Sequence, residues 1–488
     1  MRYDEQTLRP AIDAAFDQGG LDAVCRLVVT LLNEQEARHQ AVIAKLEARV
    51  AELEKRLNKN SSNSSKPPSS DGLKRTQSLR SKTPGRKPGG QPGHPGRTLL
   101  QSASPDITVA VPLSECPECG ADLAKQPVVG EERRQVFDLP AIRIRVTEYQ
   151  AQRKVCLNCG RVVTAGFPAG VCAPVQYGPA MQSAMSYLNV RHVIPCERVG
   201  EVCQDLFGHR PSAGSVVQAV ARCAGRVAAV VGEIGAVLSQ APVLHGDETG
   251  VRCAAKTHWL HVVSNATHTL YSHSPKRGLE GFAAADVLPG YTGTLVHDFW
   301  SPYDILECDH SRCNAHILRE LKACVEDGHV WAENIILALL AMKQATDEAR
   351  QNGIKVIASK ERKRLERQYD KWAAAGLKAH PEQLRPTGKR GRVKQSTEYN
   401  LLKRLRDKRK EVLRFLHDLQ VPFDNNQAER DLRMIKVQQK VSGCFRSEQG
   451  AKGFCVVSSY ISTVRKHGMN LMESIRAAFS GVPVSFST

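Results

Sequence analysis

The chain has 488 residues, with 68 Lys and Arg against 50 Asp and Glu, and a formal net charge of +18 at pH 7. This length suits about three domains, and the positive surplus favours a polyanionic partner, most simply nucleic acid, over the alternative of a ribosomal or membrane-surface protein. No run of 18 apolar residues and no secretory signal is visible, and the 15 cysteines follow no disulfide framework, so we expect a cytoplasmic protein with no membrane partner.

The first predicted element is a helix over residues 21–57. Its apolar residues step alternately by three and four positions with charged residues between them, as in the a/d seam of a coiled coil: Ile43, Leu46, Val50, Leu53 and Leu57. An amphipathic helix packed on its own domain is the alternative. We expect residues 1–58 to form a zipper-like segment that makes the protein a homo-oligomer.

A flexible basic linker is predicted over residues 59–104. Ser, Pro, Gly and Asn dominate this stretch and cannot bury a core. Its charged residues are almost all Lys and Arg, so it is either a solvated spacer or an arm that follows DNA phosphates.

Two CxxCG motifs predict a zinc module over residues 105–170. Each motif lets two thiolates point at one ion, and two motifs supply the four soft ligands of a closed, structural Zn²⁺ site: Cys116, Cys119, Cys156 and Cys159. Chance spacing or a disulfide pair is the alternative. Residues 133–155 alternate between apolar and polar, which predicts strands and a small β-rich, zinc-ribbon-like module.

Residues 171–238 are predicted to be a helical DNA-binding region. A helix, a short turn with Gly208 and Pro211, and a second helix capped near Ser212 resemble a helix-turn-helix. Any helical hairpin gives a similar pattern, so the DNA-binding role rests on the basic charge as well.

Three acids in residues 239–480 are candidate metal ligands. Asp247 follows an apolar strand, Asp298 follows another, and Glu429 lies at a helix start with Asn425 or Asn426 as its cap. Two divalent ions held by about three carboxylates are a common device for phosphoryl transfer on DNA. Taken singly, each acid could instead be a turn residue, a helix cap or a first-turn acid.

Two basic features are candidate DNA contacts. Residues 385–410 carry eleven Lys and Arg, from which we select a cluster at the start of the stretch: Lys389, Arg390, Arg392 and Lys394. Arg446 is a further candidate phosphate contact. A solvated helical face and a surface arginine are the alternatives.

The succession of motifs along nearly the whole chain resembles the transposases of bacterial insertion sequences of the sixty-six type. The matching segments are the zipper-like helix, the NSSNSSKPPSSDG and RKPGGQPGHPGRTL linker, CPECG and CLNCG, HGDETG, HDFWSPYD, CNAHILREL, and NNQAERDLRMIKVQQKVSGCFRS. The resemblance implies a multidomain α/β protein with a ribonuclease-H-like DDE catalytic domain. The gap between the second and third acids implies a helical insertion at about 325–420.

The same resemblance implies the roles of the acids and the partners. Asp247 in GDET, Asp298 in HDFW and Glu429 in NQAER would hold catalytic Mg²⁺ or Mn²⁺. Water would attack a phosphodiester at the element end, and the freed 3′-OH would then attack target DNA. The partners would be DNA at the terminal inverted repeats, target DNA and accessory proteins of the same element, in the bacterial cytoplasm near the nucleoid.

Two other functions are compatible with parts of the sequence. Residues 1–235 alone would suit a DNA-binding regulator, but a regulator does not need the acid-bearing strands after residue 241. A repair or junction nuclease could use the same catalytic fold. The zipper and linker favour assembly on paired DNA ends, and therefore transposition.

Overall fold

The structure is a computed structural model that describes residues 5–64, 99–140, 142–385 and 393–486. The chain forms two compact units, one of Met1–Leu79 with Asn314–Leu419 and the other of Arg80–Cys313 with Gln420–Thr488. Most of the predicted linker lies outside the described residues, as do Lys389, Arg390 and Arg392.

The N-terminal segment is helical, as predicted. Helix α1 spans Glu5–Leu57 and is interrupted at Gly19 and Gly20, where the backbone leaves helical angles and Gly20 has φ of 60°. Glycine is the residue that adopts this angle without steric cost. The predicted seam residues are all exposed: Ile43, Leu46, Val50, Leu53 and Leu57. The helix is confirmed, and self-association through it stays a prediction.

The region of the zinc motifs has little regular structure. Strands β1 (Arg153–Val155) and β2 (Val162–Thr164) pair antiparallel around the second motif. The prediction of strands across 133–155 is wrong except for its last three residues, because the described residues from 133 to 152 form no strand. Apolar side chains there are exposed, among them Val136, Leu139 and Val146. A segment whose apolar and polar residues alternate forms a strand only where a neighbouring strand pairs with it and another surface covers its apolar face.

The predicted helical hairpin is present. Helix α2 (Pro179–Ser186) continues as a π-helix over Tyr187–Arg191 and is followed by α3 (Cys196–Phe207) and α4 (Ala213–Ser239). Gly208 ends α3 with φ of 72°, and the Ser212 hydroxyl accepts a hydrogen bond from the backbone N–H of Ser215 at 3.1 Å. Both local signals are confirmed, whereas reading of DNA by this hairpin stays a prediction.

Five strands form a mixed sheet in the second unit. They are β3 (Val243–Cys253), β4 (Lys256–Ser264), β5 (Thr269–Ser274), β6 (Thr294–His297) and β7 (Asp309–Arg312), in the spatial order β5-β4-β3-β6-β7. The β3–β4 and β4–β5 pairs are antiparallel. The β3–β6 and β6–β7 pairs are parallel. Helix α5 (Leu279–Ala283) and a 3₁₀-helix over Ser301–Ile305 lie in the connections.

The turn between β4 and β5 contains Asn265. Its side-chain oxygen accepts hydrogen bonds from the backbone N–H groups of Thr267 at 3.0 Å and His268 at 2.7 Å. Such a local side-chain bond is the reason that asparagine favours turns.

The turn between β3 and β4 has no comparable sequence signal. It consists of Ala254 and Ala255, with φ of 46° and 63°, a conformation that suits glycine or asparagine in two-residue hairpin turns. We expect Ala255→Gly to raise the free energy of unfolding by about 1 kcal/mol in urea denaturation. The relief of the left-handed conformation, about 1–2 kcal/mol, outweighs the larger backbone entropy of glycine, about 0.5–1 kcal/mol.

The matched control for this substitution is Ala284→Gly. Ala284 is exposed and has φ of −65°, so glycine relieves nothing there and should lower stability slightly. Equal effects of the two substitutions would show that the Ala254–Ala255 turn is not strained.

Helices make up the rest of the chain. The first unit contains α6 (Asn314–Glu326), α7 (Val330–Gln351), α8 (Ser359–Ala379), α9 (Thr397–Asp407), α10 (Arg409–Val412) and α11 (Arg414–His417), and the second contains α12 (Asn426–Val441), α13 (Glu448–Lys466) and α14 (Leu471–Phe479). None of the helices in the described ranges is long and apolar enough to cross a membrane.

The sheet of the second unit is buried on both faces. On one face Leu260 and Val262 pack with residues of α12 and α13. On the other face Leu244 and Leu295 pack with residues of α4. Side chains of a strand alternate between the two faces of the sheet. Each side chain of β3 therefore faces either α4 on one side or α12 and α13 on the other.

Candidate functional site

Asp247 lies inside β3 rather than after it, which corrects the sequence prediction. The strand continues to Cys253, and Asp247 is paired with Val262 of β4. Glycine and acidic residues in HGDETG resemble a turn, but pairing with β4 over its whole length keeps this segment extended. Alternation places Asp247 on the face that packs against α12 and Glu248 on the opposite face.

Asp298 follows β6 directly, as predicted. Its side chain accepts a hydrogen bond from the backbone N–H of Trp300 at 2.8 Å. Strand β6 runs parallel beside β3, with His245 opposite Val296. Because the two strands run in the same direction, Asp298 follows β6 at the level where Asp247 lies on β3.

Glu429 lies in the first turn of α12. Asn425 occupies the N-cap position, but its side chain does not cap the helix. Instead it bonds to His245 Nδ1 at 2.8 Å and donates to the carbonyl of Gly246 at 2.8 Å. The prediction that the Asn425 side chain caps α12 is therefore wrong. The buried side chain instead holds the start of α12 against β3 beside Asp247.

The three acids share one electrostatic environment. Burial raises the pKa of Asp247 well above its usual range, and the charges of Glu248, Asp298 and Glu429 raise it further. A site that disfavours a carboxylate through burial and like charges is one that a divalent cation would stabilise. The charges of Asp298 and Glu429 thus act at Asp247. Among the described residues the three carboxylates do not form a group of close metal-ligand atoms, so a shared ion stays a prediction.

Lys436 is a member of this electrostatic environment that the sequence prediction did not include. Burial lowers the pKa of Lys436, and the charge of Asp247 opposes this shift. Lys436 is seven residues after Glu429 on α12, so helical periodicity places both on one side of the helix. That spacing is the signal that could have identified it.

Glu248, the acid next to Asp247, is engaged by other residues. Its side chain is 2 % exposed and accepts hydrogen bonds from Arg277 Nη2 at 2.7 Å and from the Tyr303 hydroxyl at 2.6 Å. The Arg277 guanidinium also lies over the Trp300 ring, 4.0 Å from its centroid. Glu248 is therefore the buried acid of an ion pair whose cation, Arg277, is 39 % exposed.

The other nearby acids have protein partners too. Asp304 forms an ion pair with Arg312, which is 1 % exposed and also donates to the Asp298 carbonyl at 3.2 Å. Asp431 pairs with Lys466 at 3.0 Å. The Asp424 carboxylate accepts from the backbone N–H of Asn426 at 3.1 Å.

The two cysteine motifs form matching tight turns. Gly120 N–H donates to the Cys116 carbonyl at 2.9 Å, and Gly160 N–H donates to the Cys156 carbonyl at 2.8 Å. Hydrogen bonds from backbone N–H groups, led by those of Cys119 and Cys159, lower the pKa of the first thiol in each turn. Each turn presents two sulfur donors of the type that Zn²⁺ binds.

The structure does not gather the two cysteine motifs into one cluster. All four cysteines lie in described residues, yet their sulfurs are absent from the groups of three or more close metal-ligand atoms found there. The two sulfurs of each turn fit half of a tetrahedral site. The binding of one Zn²⁺ by both turns together stays a prediction.

Two of the predicted DNA contacts lie in the described part of the chain. Lys394 is exposed in the first unit, and its charge contributes to lowering the pKa of Glu52, after that of Arg49. Arg446 is exposed in the second unit, directly after Phe445, whose carbonyl accepts from Ala254 N–H at 2.9 Å. Both are accessible to a phosphate backbone.

Three family models match parts of the chain. Residues 174–453, more than half of the chain, match the model of the Transposase IS66 family. Residues 114–160 match the zinc-finger binding domain of transposase IS66. Residues 24–99 match a family of unknown function, DUF6444. No curated protein matches the chain.

Proposed function

Because this chain belongs to the Transposase IS66 family, we propose that it binds the ends of an insertion sequence and catalyses cleavage and strand transfer there by a metal-dependent DDE mechanism. Family membership supports an enzyme that cleaves and transfers DNA, and the matched zinc-finger domain supports DNA binding and Zn²⁺. The observation that carries the finer proposal is that the charges of Asp298 and Glu429 act at Asp247.

We propose a ribonuclease-H-like fold for the catalytic domain. Support comes from the mixed five-stranded sheet with its first strand at the centre. The first acid is on that strand, the second directly follows β6, and the third is on a later helix packed against β3. This is the order of acids that such a sheet uses for two-metal chemistry.

The three carboxylates fit Mg²⁺ or Mn²⁺. They offer hard oxygen donors, and the raised pKa of Asp247 reflects crowded negative charge. When bound, the ions would lower the pKa of the attacking water and neutralise charge on the leaving oxygen. Asn425 holds the start of α12 against β3, so that Glu429 stays beside Asp247. Lys436 supplies a positive charge that reduces the repulsion among the acids.

The test of this function is cleavage of DNA that carries the inverted repeats flanking the coding sequence. The full-length protein with Mg²⁺ should cut one strand at the repeat end and leave a 3′-OH there, and EDTA should stop the reaction. Binding without cleavage under all metal conditions would favour a regulator instead.

We further propose that Lys389, Arg390, Arg392, Lys394 and Arg446 contact DNA phosphates. The net charge of +18 supports a polyanionic ligand, and Lys394 and Arg446 are exposed. Each phosphate contact that is lost should reduce the salt dependence of binding by a slope of about 0.9.

Cys116, Cys119, Cys156 and Cys159 are proposed to bind one structural Zn²⁺. The double substitution Cys156→Ser and Cys159→Ser in the full chain should lower the zinc content by about one ion, since hydroxyls are poor ligands for zinc. Elemental analysis of purified protein measures this content. The control is Cys172→Ser, which changes an exposed cysteine outside both motifs. A full zinc content in the double variant would refute this ligand set.

Helix α1 is proposed to mediate self-association. Replacing Leu46 and Leu53 by Gln should reduce the oligomer mass measured by sedimentation equilibrium, because an a/d seam depends on buried apolar side chains. Replacing Lys45 by Gln, a change on the same helix at a position that does not flank the seam, should leave the mass unchanged. An unaltered mass for the Leu46 and Leu53 variant would mean that α1 is not the oligomer contact.

A further inference from the structure

A second group of metal-ligand side chains lies on the same β3 strand as Asp247, toward its far end. It consists of Cys253 on β3, His258 on β4 and His273 on β5, which are 0 %, 4 % and 6 % exposed. One ligand atom from each residue lies within 4.8 Å of the others. Three adjacent strands therefore bring one thiol and two imidazoles together in a buried place.

The strand register explains why these side chains meet. His258 lies opposite Val251, and His273 lies opposite Leu260. Alternation along each strand then places all three side chains on the face of Asp247 and Val262. Cys253 is six residues of extended chain from Asp247, about 20 Å, so an ion bound by Cys253 is distinct from the ions proposed at Asp247.

The two imidazoles face each other directly. His258 Nδ1 and His273 Nε2 are 3.0 Å apart, and the rings are stacked with centroids 5.0 Å apart. In a neutral pair only one of these nitrogens carries the shared hydrogen, whereas a cation between them would use both lone pairs. Two nitrogens bound to a tetrahedral Zn²⁺ at 2.0–2.1 Å lie about 3.3 Å apart, so little movement is needed.

The imidazoles are also suited to ligation by their burial. Both imidazoles are buried, and a neutral imidazole is the form that binds metals. Within the described residues, His273 Nδ1 is buried without a hydrogen-bond partner. The protein itself therefore satisfies only one nitrogen of this ring.

The connection between α12 and α13 passes beside this group. Phe445 N–H donates to the Arg252 carbonyl at 2.9 Å, and Ala254 N–H donates to the Phe445 carbonyl at 2.9 Å. The backbone on either side of Cys253 is therefore held in place.

We propose that Cys253, His258 and His273 bind one Zn²⁺. A thiolate with two imidazoles is a softer donor set than three carboxylates, and it selects Zn²⁺ over Mg²⁺. The three side chains supply three of the four positions of a tetrahedral site. The ion joins three strands of the sheet, and it is independent of the proposed catalytic chemistry.

The experiment uses the full-length protein in which Cys156 and Cys159 are both replaced by Ser, so that the zinc finger no longer contributes. This parent should retain about one zinc per chain by elemental analysis. Loaded with Co²⁺ instead, it should show a thiolate-to-cobalt absorption band and the intense visible bands of tetrahedral cobalt. A folded parent that holds no zinc and gives no such spectrum would overturn the proposal.

Substitutions in the parent identify the ligands. Cys253→Ser and the pair His258→Gln and His273→Gln should each remove the remaining ion. The controls are Cys455→Ser, a buried cysteine in the same core, and His268→Gln, a buried histidine outside the group.

Two outcomes contradict these assignments. Zinc retained after loss of both histidines would show that the ion is bound elsewhere. A full zinc content in the Cys253→Ser variant would exclude the thiolate as a ligand. Circular dichroism distinguishes loss of metal from loss of fold, and the cobalt spectrum of the parent tests the site even where a variant does not fold.

Discussion

Asp247→Asn should lower the rate of DNA cleavage at the element end by at least about 100-fold, equivalent to about 2.7 kcal/mol in the activation barrier. Asparagine keeps the size of the side chain but removes the negative charge that would hold a divalent ion. Binding of repeat-end DNA should persist, because it depends on the zinc module and the basic surface. Cleavage and binding of one labelled duplex, measured with Mg²⁺, give both quantities.

The matched control is Asp424→Asn. Asp424 lies just before α12, and its carboxylate accepts a backbone hydrogen bond from Asn426. Cleavage by this variant should remain within a fewfold of the native rate. If Asp247→Asn cleaves as fast as the native protein, Asp247 is not a metal ligand and the proposed site is wrong.

The same substitution should have the opposite effect on stability in the absence of metal. The pKa of Asp247 is raised in the folded chain, above the unfolded value of about 3.9. As the pH rises through that unfolded value, the unfolded chain releases its proton first, and the folded chain loses relative stability. In EDTA at pH 7 the variant should therefore melt at a higher temperature than the native protein, and the difference should shrink below about pH 4. Mg²⁺ should then stabilise the native protein more than the variant.

Lys466→Met should lower the free energy of unfolding by about 3–5 kcal/mol, because it leaves the Asp431 carboxylate buried without its cation. The two side chains are 13 % and 11 % exposed and 3.0 Å apart. Lys466 also donates to the carbonyl of Asn265 at 2.8 Å. The pair therefore joins α12, α13 and the turn between β4 and β5. Urea denaturation measures the effect.

A double variant separates the buried charge from the lost contacts. Adding Asp431→Asn to Lys466→Met removes the isolated carboxylate, so the double variant should be more stable than the single one. The surface control is Lys343→Met, which breaks an exposed pair with Asp347 on α7 and should cost no more than about 1 kcal/mol. A double variant as unstable as the single one would place the cost in packing rather than charge.

Local signals predicted the elements that local interactions determine. Asn265 forms the turn whose backbone donors its own side chain accepts, and Ser212 caps α4 through a bond three residues away. Asp298 directly follows a short apolar strand, and Glu429 lies in the first turn of a helix. In each case the stabilising group lies within a few residues of the element.

The errors arose where distant partners decide the structure. Asp247 lies in the middle of a strand because β4 pairs with β3 along its whole length. Residues 133–152 alternate but lack a neighbouring strand in the described chain. The Ala254–Ala255 turn carries no turn residue, and pairing of β3 with β4 imposes its backbone angles. Such effects depend on contacts that a single sequence does not reveal.

The relation among the three acids could be predicted only through the family resemblance. In sequence number, 51 residues separate Asp247 from Asp298, and 131 separate Asp298 from Glu429. The parallel pairing of β3 and β6 places Asp298 at the level of Asp247, and the bond of Asn425 to β3 holds the start of α12 beside that strand. Lys436 and the group at Cys253 depend on the same packing.

The hydrogen bond from Asn425 N–H to the Cys313 sulfur, at 3.2 Å, has a consequence for modularity. Cys313 and Asn425 both belong to the second unit, and the chain between them contributes Asn314–Leu419 to the other unit. The second unit thus holds together the two points at which the chain leaves it and returns to it. Loop-closure entropy rises only slowly with length, so these ends tolerate bridges of very different size. The helices between Cys313 and Asn425 can therefore be shortened or lengthened by design while these two residues stay in contact.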